Sequence, residues 1–368
     1  MTMKSASLQR GWVAALALLI LSTSAFAQHY MRADLTTDKA SVAMTAPNLD
    51  PNLVNGWGLS RNSTSPWWVS DNGTGVATLY NGAGVPNPLV VKIPPPKNSS
   101  NANGHPTGTV FNYDTTGFLI SSKAPFFMFV TTDGTISGWN PAVNPAAAVL
   151  AIDHSGKSEY TGCTLATNEA GTFLYVADFK SGEIEIYNSS WKQIHLDGWA
   201  FRDPRVPHDF APFNVQNIGG NLVVTYAKQQ HNSPAEADGP GLGFVSIFDS
   251  RGRLLQRLEH GRFFNAPWGV ALAPYDFGVF SHRLLVGNLG DGTIHAFNML
   301  TGRFEGTLED STNKPISIDG LWAIGFGSGA ASSSSPTTLF FASGPNEYGD
   351  GVLGTLVPTP TEQRGSNE

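Results

Sequence analysis

A repeat of about fifty residues is the feature that most restricts how this chain can fold. Its signature is a short apolar strand that begins at a Pro, Trp or Gly cluster, as in Pro267-Trp268-Gly269. Corresponding positions stand at 57, 108, 162, 213, 268 and 322, at intervals of 51, 54, 51, 55 and 54 residues. Self-similarity at such a period is typical of arrays in which each unit buries its faces against its neighbours.

One unit is clearest between residues 265 and 310. Its four apolar segments are separated by turn dipeptides such as Asp291-Gly292 and Thr301-Gly302, and no helical period is present. This pattern predicts a four-stranded antiparallel meander. Six such units predict an all-β protein, a six-bladed β-propeller of four-stranded antiparallel blades.

The sixth unit is one strand short at its end. Its third strand is predicted at 352–356, while residues 31–36 form a possible strand ahead of the first unit. We therefore expect the N-terminal strand to complete the last blade, since closure removes the seam at which the ring could open. The predicted propeller domain is 28–357, and 358–368 is predicted to be a disordered tail.

Residues 1–27 have the layout of a cleaved secretory signal. Lys4 and Arg10 precede a short apolar run, and Ala25-Phe26-Ala27 supplies a small-residue exit before Gln28. The run from Trp12 to Leu21 is too short to span a bilayer. The sequence predicts a secreted or periplasmic protein without a membrane span after cleavage, and a retained anchor is the alternative.

Charge excludes some classes of partner. The formal net charge is −7 and becomes −9 once residues 1–27 are removed, and only 14% of residues are charged. An acidic chain without a Lys/Arg run is not suited to nucleic acid or anionic membranes. Cys163 is the single cysteine, so a disulfide framework is excluded and blade packing must supply the stability.

Three long polar connections fall on one face of the predicted propeller. They span 94–104, 197–209 and 229–241. In a propeller meander, the connections from fourth to first strand and from second to third strand emerge on the same face. Long loops on a rigid scaffold are where function concentrates, so this face is the predicted functional face.

Two rings of polar residues are expected to meet on that face, around a central funnel. Before the first strands stand Asn55, His105, Tyr160, Asn265 and Asp319, and after the second strands stand Asp71, Asp133, Asp178, Lys228, Asn288 and Asn346. Four of these supply carboxylates suited to Ca²⁺ or another divalent cation: Asp71, Asp133, Asp178 and Asp319. The alternative is turn chemistry, because Asp and Asn side chains bond nearby backbone amides.

Two further residue types have a structural interpretation. His105 is either a ligand or a hydrogen-bonding structural histidine. Trp57, Trp268 and Trp322 recur at one position of the repeat, which favours packing between blades.

Several strings resemble a family of uncharacterised secreted bacterial proteins. They are Asn-x-Trp-Gly-Leu at 55–59, 67–82, His-Pro-Thr-Gly-Thr-Val-Phe-Asn at 105–112, Ala-Pro-Phe-Asn-Val-Gln at 211–216 and Ile-Asp-Gly-Leu-Trp-Ala at 318–323. Members are similar to NHL- and YVTN-type propellers, and some carry a PEP-CTERM sorting tail, which this chain lacks at its end. The resemblance implies a propeller fold and export, and no established activity.

Two functions follow as hypotheses, with catalytic residues unknown. The first is a non-catalytic binding module whose partner is an extracellular protein, glycan or small molecule. The second is a metal-dependent hydrolase or lyase, lactonase-like by analogy of fold only, with an Asp or His105 as base near a cation. The first is preferred because no motif here provides a recognisable nucleophile with a base and its orienting partner.

Overall fold

The structure is a computed structural model that describes residues 29–231 and 235–359. Within these ranges the regular secondary structure is almost entirely β-strand. Before the first blade lie β1 (Tyr30–Thr37) and β2 (Asn48–Leu49). Blade 1 contains β3 (Gly56–Ser60), β4 (Trp67–Asp71), β5 (Val76–Tyr80) and β6 (Val91–Lys92). Blade 2 contains β7 (Pro106–Phe111), β8 (Phe127–Thr131), β9 (Thr135–Trp139) and β10 (Val149–Asp153).

The remaining blades follow in chain order. Blade 3 contains β11 (Tyr160–Asn168), β12 (Gly171–Asp178), β13 (Glu183–Asn188) and β14 (Gln193–Ile194). Blade 4 contains β15 (Phe210–Ile218), β16 (Asn221–Gln229), β17 (Glu236–Ala237), β18 (Gly243–Phe248) and β19 (Leu254–Arg257). Blade 5 contains β20 (Pro267–Leu272), a 3-10 turn (Gly278–Phe280), β21 (Leu284–Asn288), β22 (Ile294–Phe297) and β23 (Phe304–Thr307). Blade 6 contains β24 (Leu321–Phe326), β25 (Leu339–Ser343) and β26 (Val352–Pro358).

Each blade is an antiparallel sheet whose first strand lies nearest the axis. The first strands β3, β7, β11, β15, β20 and β24 contact one another in sequence, and β24 returns to β3. The six-bladed propeller predicted from the repeat is therefore confirmed. Outside the axis, apolar clusters fill the spaces between neighbouring sheets, so the core is distributed around the ring.

The N-terminal strand closes the ring, as predicted. β1 pairs antiparallel with β26, from Tyr30 opposite Pro358 to Thr37 opposite Val352, and the sheet order is β2-β1-β26-β25-β24. The Thr37 hydroxyl donates to the Gly351 carbonyl oxygen at 3.0 Å. The last blade is thus built from both ends of the chain.

Aromatic side chains fill the axis. The rings of Trp57 and Trp322 stack with centroids 3.5 Å apart, and Trp268 meets both edge-on at 6.5 and 6.0 Å. Phe213 completes this aromatic plug at 5.8 Å from Trp322. These residues come from blades 1, 6, 5 and 4, so the predicted packing role of the tryptophans is confirmed at the centre of the ring.

The glycine of the repeat signature lets the first strands approach one another. A Cβ on Gly58 would lie 2.3 Å from the Thr107 carbonyl oxygen, and one on Gly269 would lie 2.6 Å from that of Trp322. Pairing with the second strand shifts register at this point in all six blades. In blade 4 Asn214 takes the signature position and donates to the backbone of the next blade at 2.9 Å.

Residues 1–27, the predicted signal, and 360–368, most of the predicted tail, lie outside the described residues. Both stay predictions. In the described part of the chain, no helix has the length and apolar character needed to cross a bilayer.

Candidate functional site

The predicted face carries a residue that sits directly above the aromatic plug. Tyr348 lies in the connection from β25 to β26, with its ring 5.6 Å from that of Trp322, and it is partly exposed, at 38%. Its hydroxyl donates to Glu236 Oε1 at 3.1 Å, which joins blade 6 to the insertion of blade 4. Tyr348 therefore stands on the axis rather than at the edge of the ring.

The backbone that presents Tyr348 is strained. Asn346, Glu347 and Tyr348 have φ angles of 55°, 54° and 67°, a run of three left-handed residues without a glycine. Each such residue costs about 1–2 kcal/mol. The hydrogen bonds from Asn346 to Asp319 and Asp350 hold this segment in place.

Carboxylates from blades 4 and 6 lie near Tyr348, and acids from blades 3 and 5 lie near those carboxylates. Burial raises the pKa of Glu159 to about 7, and the charges of Asp178 and Glu236 raise it further. Burial also raises the pKa of Glu236, with a contribution from Asp238. We call the following set the axial acidic face: Glu159, Glu236, Asp238, Asp291, Asp319 and Tyr348.

The same electrostatics links the other members of this face. Burial raises the pKa of Asp238, and the charge of Asp291 adds to the effect. Burial raises the pKa of Tyr348, followed by the charges of Glu236, Asp238 and Asp319. Like charges in a partly desolvated site raise one another's pKa, and a positive ligand would relieve their repulsion.

Each of the four aspartates predicted as metal ligands has a hydrogen-bond partner within the protein, but Asp71 Oδ1 and Asp178 Oδ2 are buried without one. Asp178 Oδ1 accepts from the Glu159 amide at 2.9 Å, and Asp319 Oδ2 accepts from the Asn346 amide at 3.0 Å. Asp71 is fully buried and accepts from the Thr78 hydroxyl at 2.7 Å, and burial raises its pKa well above the usual range. Asp133 pairs with a histidine, described next.

His105 and Asp133 form a hydrogen-bonded pair at the mouth of a small cavity. The His105 amide and Nδ1 lie 2.7 and 3.0 Å from the two oxygens of Asp133. This bond raises the pKa of His105 against an opposing effect of burial. The cavity, of about 300 Å³, is lined by residues 73–75 and 101–105. The hydrolase hypothesis, with an Asp or His105 as the base, stays a prediction.

The described residues contain no group of three or more His, Cys, Asp or Glu side chains placed to hold a metal ion. The cation site stays a prediction. Among its four aspartates, Asp178 shows the turn chemistry of the alternative, since its Oδ1 also accepts from the amides of Lys180 and Ser181 at 3.2 and 3.3 Å.

The other sequence-predicted residues have structural partners. Asn55 accepts from Trp322 Nε1 at 2.8 Å, and Asn265 accepts from the Gly239 amide at 2.7 Å. Asn288 is fully buried and donates to the Phe263 carbonyl oxygen at 2.7 Å. Tyr160 is fully buried, and its hydroxyl donates to Glu185 Oε2 at 2.6 Å, which directs it into blade 3 rather than onto the exposed face. Lys228 pairs with Asp209 at 3.1 Å.

Sequence reasoning missed Glu159 and Tyr348 as site residues. Glu159 is adjacent to the predicted Tyr160, and an unpaired acid directly before an innermost strand was a usable signal. Tyr348 follows Asn346 by two positions, but nothing in Asn346-Glu347-Tyr348 marks three successive left-handed residues, because glycine is the usual marker.

Comparison with known proteins places the chain among viral relatives. No model of a protein family matches it. It is 30% identical to "Uncharacterized protein R648" of Acanthamoeba polyphaga mimivirus over 84% of this chain and 76% of that protein. It is 31% identical to "Uncharacterized protein L690" of the same virus, over 85% and 82%. The chain belongs to the family of R648 and L690.

The resemblance to a secreted bacterial family with sorting tails is not supported, because these relatives are viral. What holds is the coarser statement that this chain adopts a β-propeller fold. The descriptions of its viral members assign no activity.

Solved structures agree on the fold alone. A Bacteroides thetaiotaomicron protein of unknown function superposes with a TM-score of 0.54 at 10% identity, covering 90% of this chain and 76% of that one. A glucose dehydrogenase gives 0.52 at 12% identity, covering 88% and 98%. A streptogramin B lyase gives 0.50 at 10% identity, covering 90% and 98%. At such low identity, function does not transfer with fold.

Proposed function

We propose that this protein is an exported, non-catalytic binding module whose axial acidic face binds a cationic group, such as an alkylammonium or guanidinium. The observation that carries the proposal is Tyr348, with its ring over Trp322 and its hydroxyl on Glu236 from another blade. An exposed aromatic ring bordered by carboxylates is the arrangement that recognises organic cations.

The electrostatics supports a positive ligand. Glu159, Glu236 and Asp238 all have raised pKa values, mainly through burial and then through like charges. A bound cation would offset both effects, and it would favour the ionised forms. Rigidity supports binding as well, since the platform rests on the aromatic plug and loses little freedom when a ligand arrives.

Titration calorimetry with spermidine and with an arginine-rich peptide tests the proposal. We expect Tyr348→Ala and Glu236→Gln each to weaken binding by about five- to tenfold, since each removes a direct partner of the cation. Tyr348→Phe keeps the ring and should lose less. The matched control is Tyr275→Ala, because Tyr275 is exposed in the connection from β20 to β21 on the opposite face.

The pH dependence gives an independent reading. Glu159 gains its charge as pH rises through about 7. The affinity for spermidine should therefore increase between pH 6 and pH 8, although spermidine itself gains no positive charge over this range. Unchanged affinity in Tyr348→Ala and Glu236→Gln would refute the proposed site.

Export rests on residues 1–27 alone. N-terminal sequencing of material from outside the cytoplasm should begin at Gln28. Intact Met1 in a cytoplasmic fraction would contradict this part of the proposal and leave the binding face untouched.

A further inference from the structure

A second cavity opens at the outer rim between blades 4 and 5. Its volume is about 730 Å³, within the usual range for small-molecule sites. Its walls come from the connection before blade 4 (203 and 205), the outer part of blade 4 (244–246 and 257–260) and the outer edge of blade 5 (301–304). No residue of the axial acidic face lines it, so this rim cleft is a separate site.

One guanidinium in the rim cleft is held in position. Arg257 Nε donates to Asp203 Oδ1 at 2.7 Å, and the other oxygen of Asp203 accepts from the Ser246 hydroxyl at 2.7 Å. The Asp203 side chain is only 2% exposed, whereas that of Arg257 is 31% exposed. The anchored Nε leaves both Nη groups of Arg257 directed elsewhere, which is the fork that binds a carboxylate or sulfate through two hydrogen bonds.

Two more arginines in the cleft are uncommitted. The side chains of Arg205 and Arg303 are exposed, and neither makes a hydrogen bond or ion pair within 29–231 and 235–359. The charges of Asp203 and Arg257 cancel. Of the other lining residues, Arg205 and Arg303 are positive and Glu259 is the one acid, so the cleft has a net positive charge. A positive cleft on a chain of net charge −7 is a local exception to the overall charge.

Aromatic faces lie beside the charges. Phe244 stacks on His260 with centroids 4.3 Å apart and an angle of 13° between the rings. Phe304 stacks on Phe263 at 4.4 Å and 6°. Flat aromatic faces suit a sugar ring, and the acceptors Thr301 and Glu259 suit its hydroxyl groups. The cleft therefore fits a ring that carries hydroxyl groups as well as an anion.

We propose that the rim cleft binds an acidic saccharide of one or two sugar units. The carboxylate or sulfate of the sugar lies against Arg257 and Arg303, and its ring lies against Phe244 or Phe304. The site is independent of the cation-binding face, so either proposal can fail without the other.

Titration calorimetry with three disaccharides tests this site: one with a glucuronate unit, one with a sulfate group and one that is neutral. We expect at least one of the two anionic sugars to bind. The neutral sugar should bind at least about tenfold more weakly. A preference between the two anionic sugars identifies the anion. Equal binding of the neutral sugar, or no binding of any of the three, overturns the proposal.

Variants locate the binding. Arg257→Gln should weaken binding of the preferred anionic sugar by about tenfold, and Arg303→Gln should weaken it by about threefold. The matched control is Arg253→Gln, because Arg253 is exposed on the same blade and already pairs with Asp249 at 3.1 Å. Since Arg257→Gln leaves buried Asp203 without its partner, its melting temperature must be checked. If it unfolds, Arg303→Gln and Arg205→Gln decide, and unchanged affinity in both overturns the proposal.

Discussion

The glycine of the repeat signature is a steric requirement set by the neighbouring blade. At Gly58 the obstacle is a backbone carbonyl oxygen 2.3 Å from the position of a Cβ, and backbone in a packed first strand cannot move without shifting its whole blade. Since close approach to the next blade recurs at Gly108 and Gly162, the repeat marks places where neighbouring first strands pack against each other without room for a side chain.

We expect Gly58→Ala to lower the free energy of unfolding by about 1–3 kcal/mol, because the methyl group overpacks the contact between blades 1 and 2. Gly198→Ala is the matched control, since a Cβ there meets nothing within 4 Å. Urea unfolding followed by fluorescence compares the two. Equal midpoints would contradict the steric account.

Glu159 makes stability depend on pH. Its pKa of about 7, raised by burial and then by Asp178 and Glu236, exceeds the value of an unfolded chain. The proton is therefore bound more tightly in the folded state, and this contribution to stability is present below about pH 4.5 and is lost as pH rises through about 7.

Glu159→Gln should consequently raise the melting temperature at pH 8 by a few degrees, about 2–4 °C, and by much less at pH 4.5. Glu183→Gln, at an exposed position of the same blade, should change it little at either pH. A gain for Glu159→Gln that is the same at both pH values would mean that charge is not the cause.

At the scale of single residues, the sequence predicted which residues form the turns better than it predicted where their side chains point. Asp before Gly marked the turns correctly, and Asp71 and Asp178 do end second strands. The sequence could not show that Asp71 points into blade 1 or that Tyr160 points into blade 3, because the face of the sheet on which a side chain lies depends on strand register. The bulge at the signature shifts that register in each blade.

At the scale of elements, the periodicity of the sequence was sufficient to predict the strands that close the ring. The closing strand predicted at 31–36 is observed at Tyr30–Thr37, and the last strand predicted at 352–356 is observed at Val352–Pro358. Strand existence is a local property of alternating apolar residues and turns, so it can be read from one sequence. The short β17 was not predicted, since Glu236 and Ala237 pair with β16 only through the fold of their insertion.

Deleting residues 28–38 should destabilise the protein strongly or cause it to aggregate. It removes every pairing partner of β26 on that side and exposes a long edge. Deleting 360–368 is the control and should change little. Equal melting temperatures for the two truncations would refute a closing role for β1.

The aromatic plug acts on the whole molecule, because its four rings come from four blades that are not all neighbours in sequence. Trp322 is 1% exposed and contacts each of the other three rings. Packing across the axis thus links blades that are otherwise connected only through their neighbours in the ring.

We expect Trp322→Ala to cost about 3–5 kcal/mol and to increase hydrogen exchange in the first strands of blades 1, 4 and 5 together. Trp199→Ala, at a position 54% exposed, is the control for the loss of a tryptophan. Increased exchange confined to blade 6 would show that the plug does not couple the blades.

Ring closure also sets an order in time. Thr37 and Gly351, which meet at the closing sheet, are 314 positions apart, so β1 cannot pair with β26 until residues 352–358 have emerged. At about 5–20 residues per second this interval is roughly 15–60 s. Throughout it, the edge of β1 that will receive β26 stays open, since β2 pairs with the other edge. Whatever handles the emerging chain must keep the open edge from pairing with another copy.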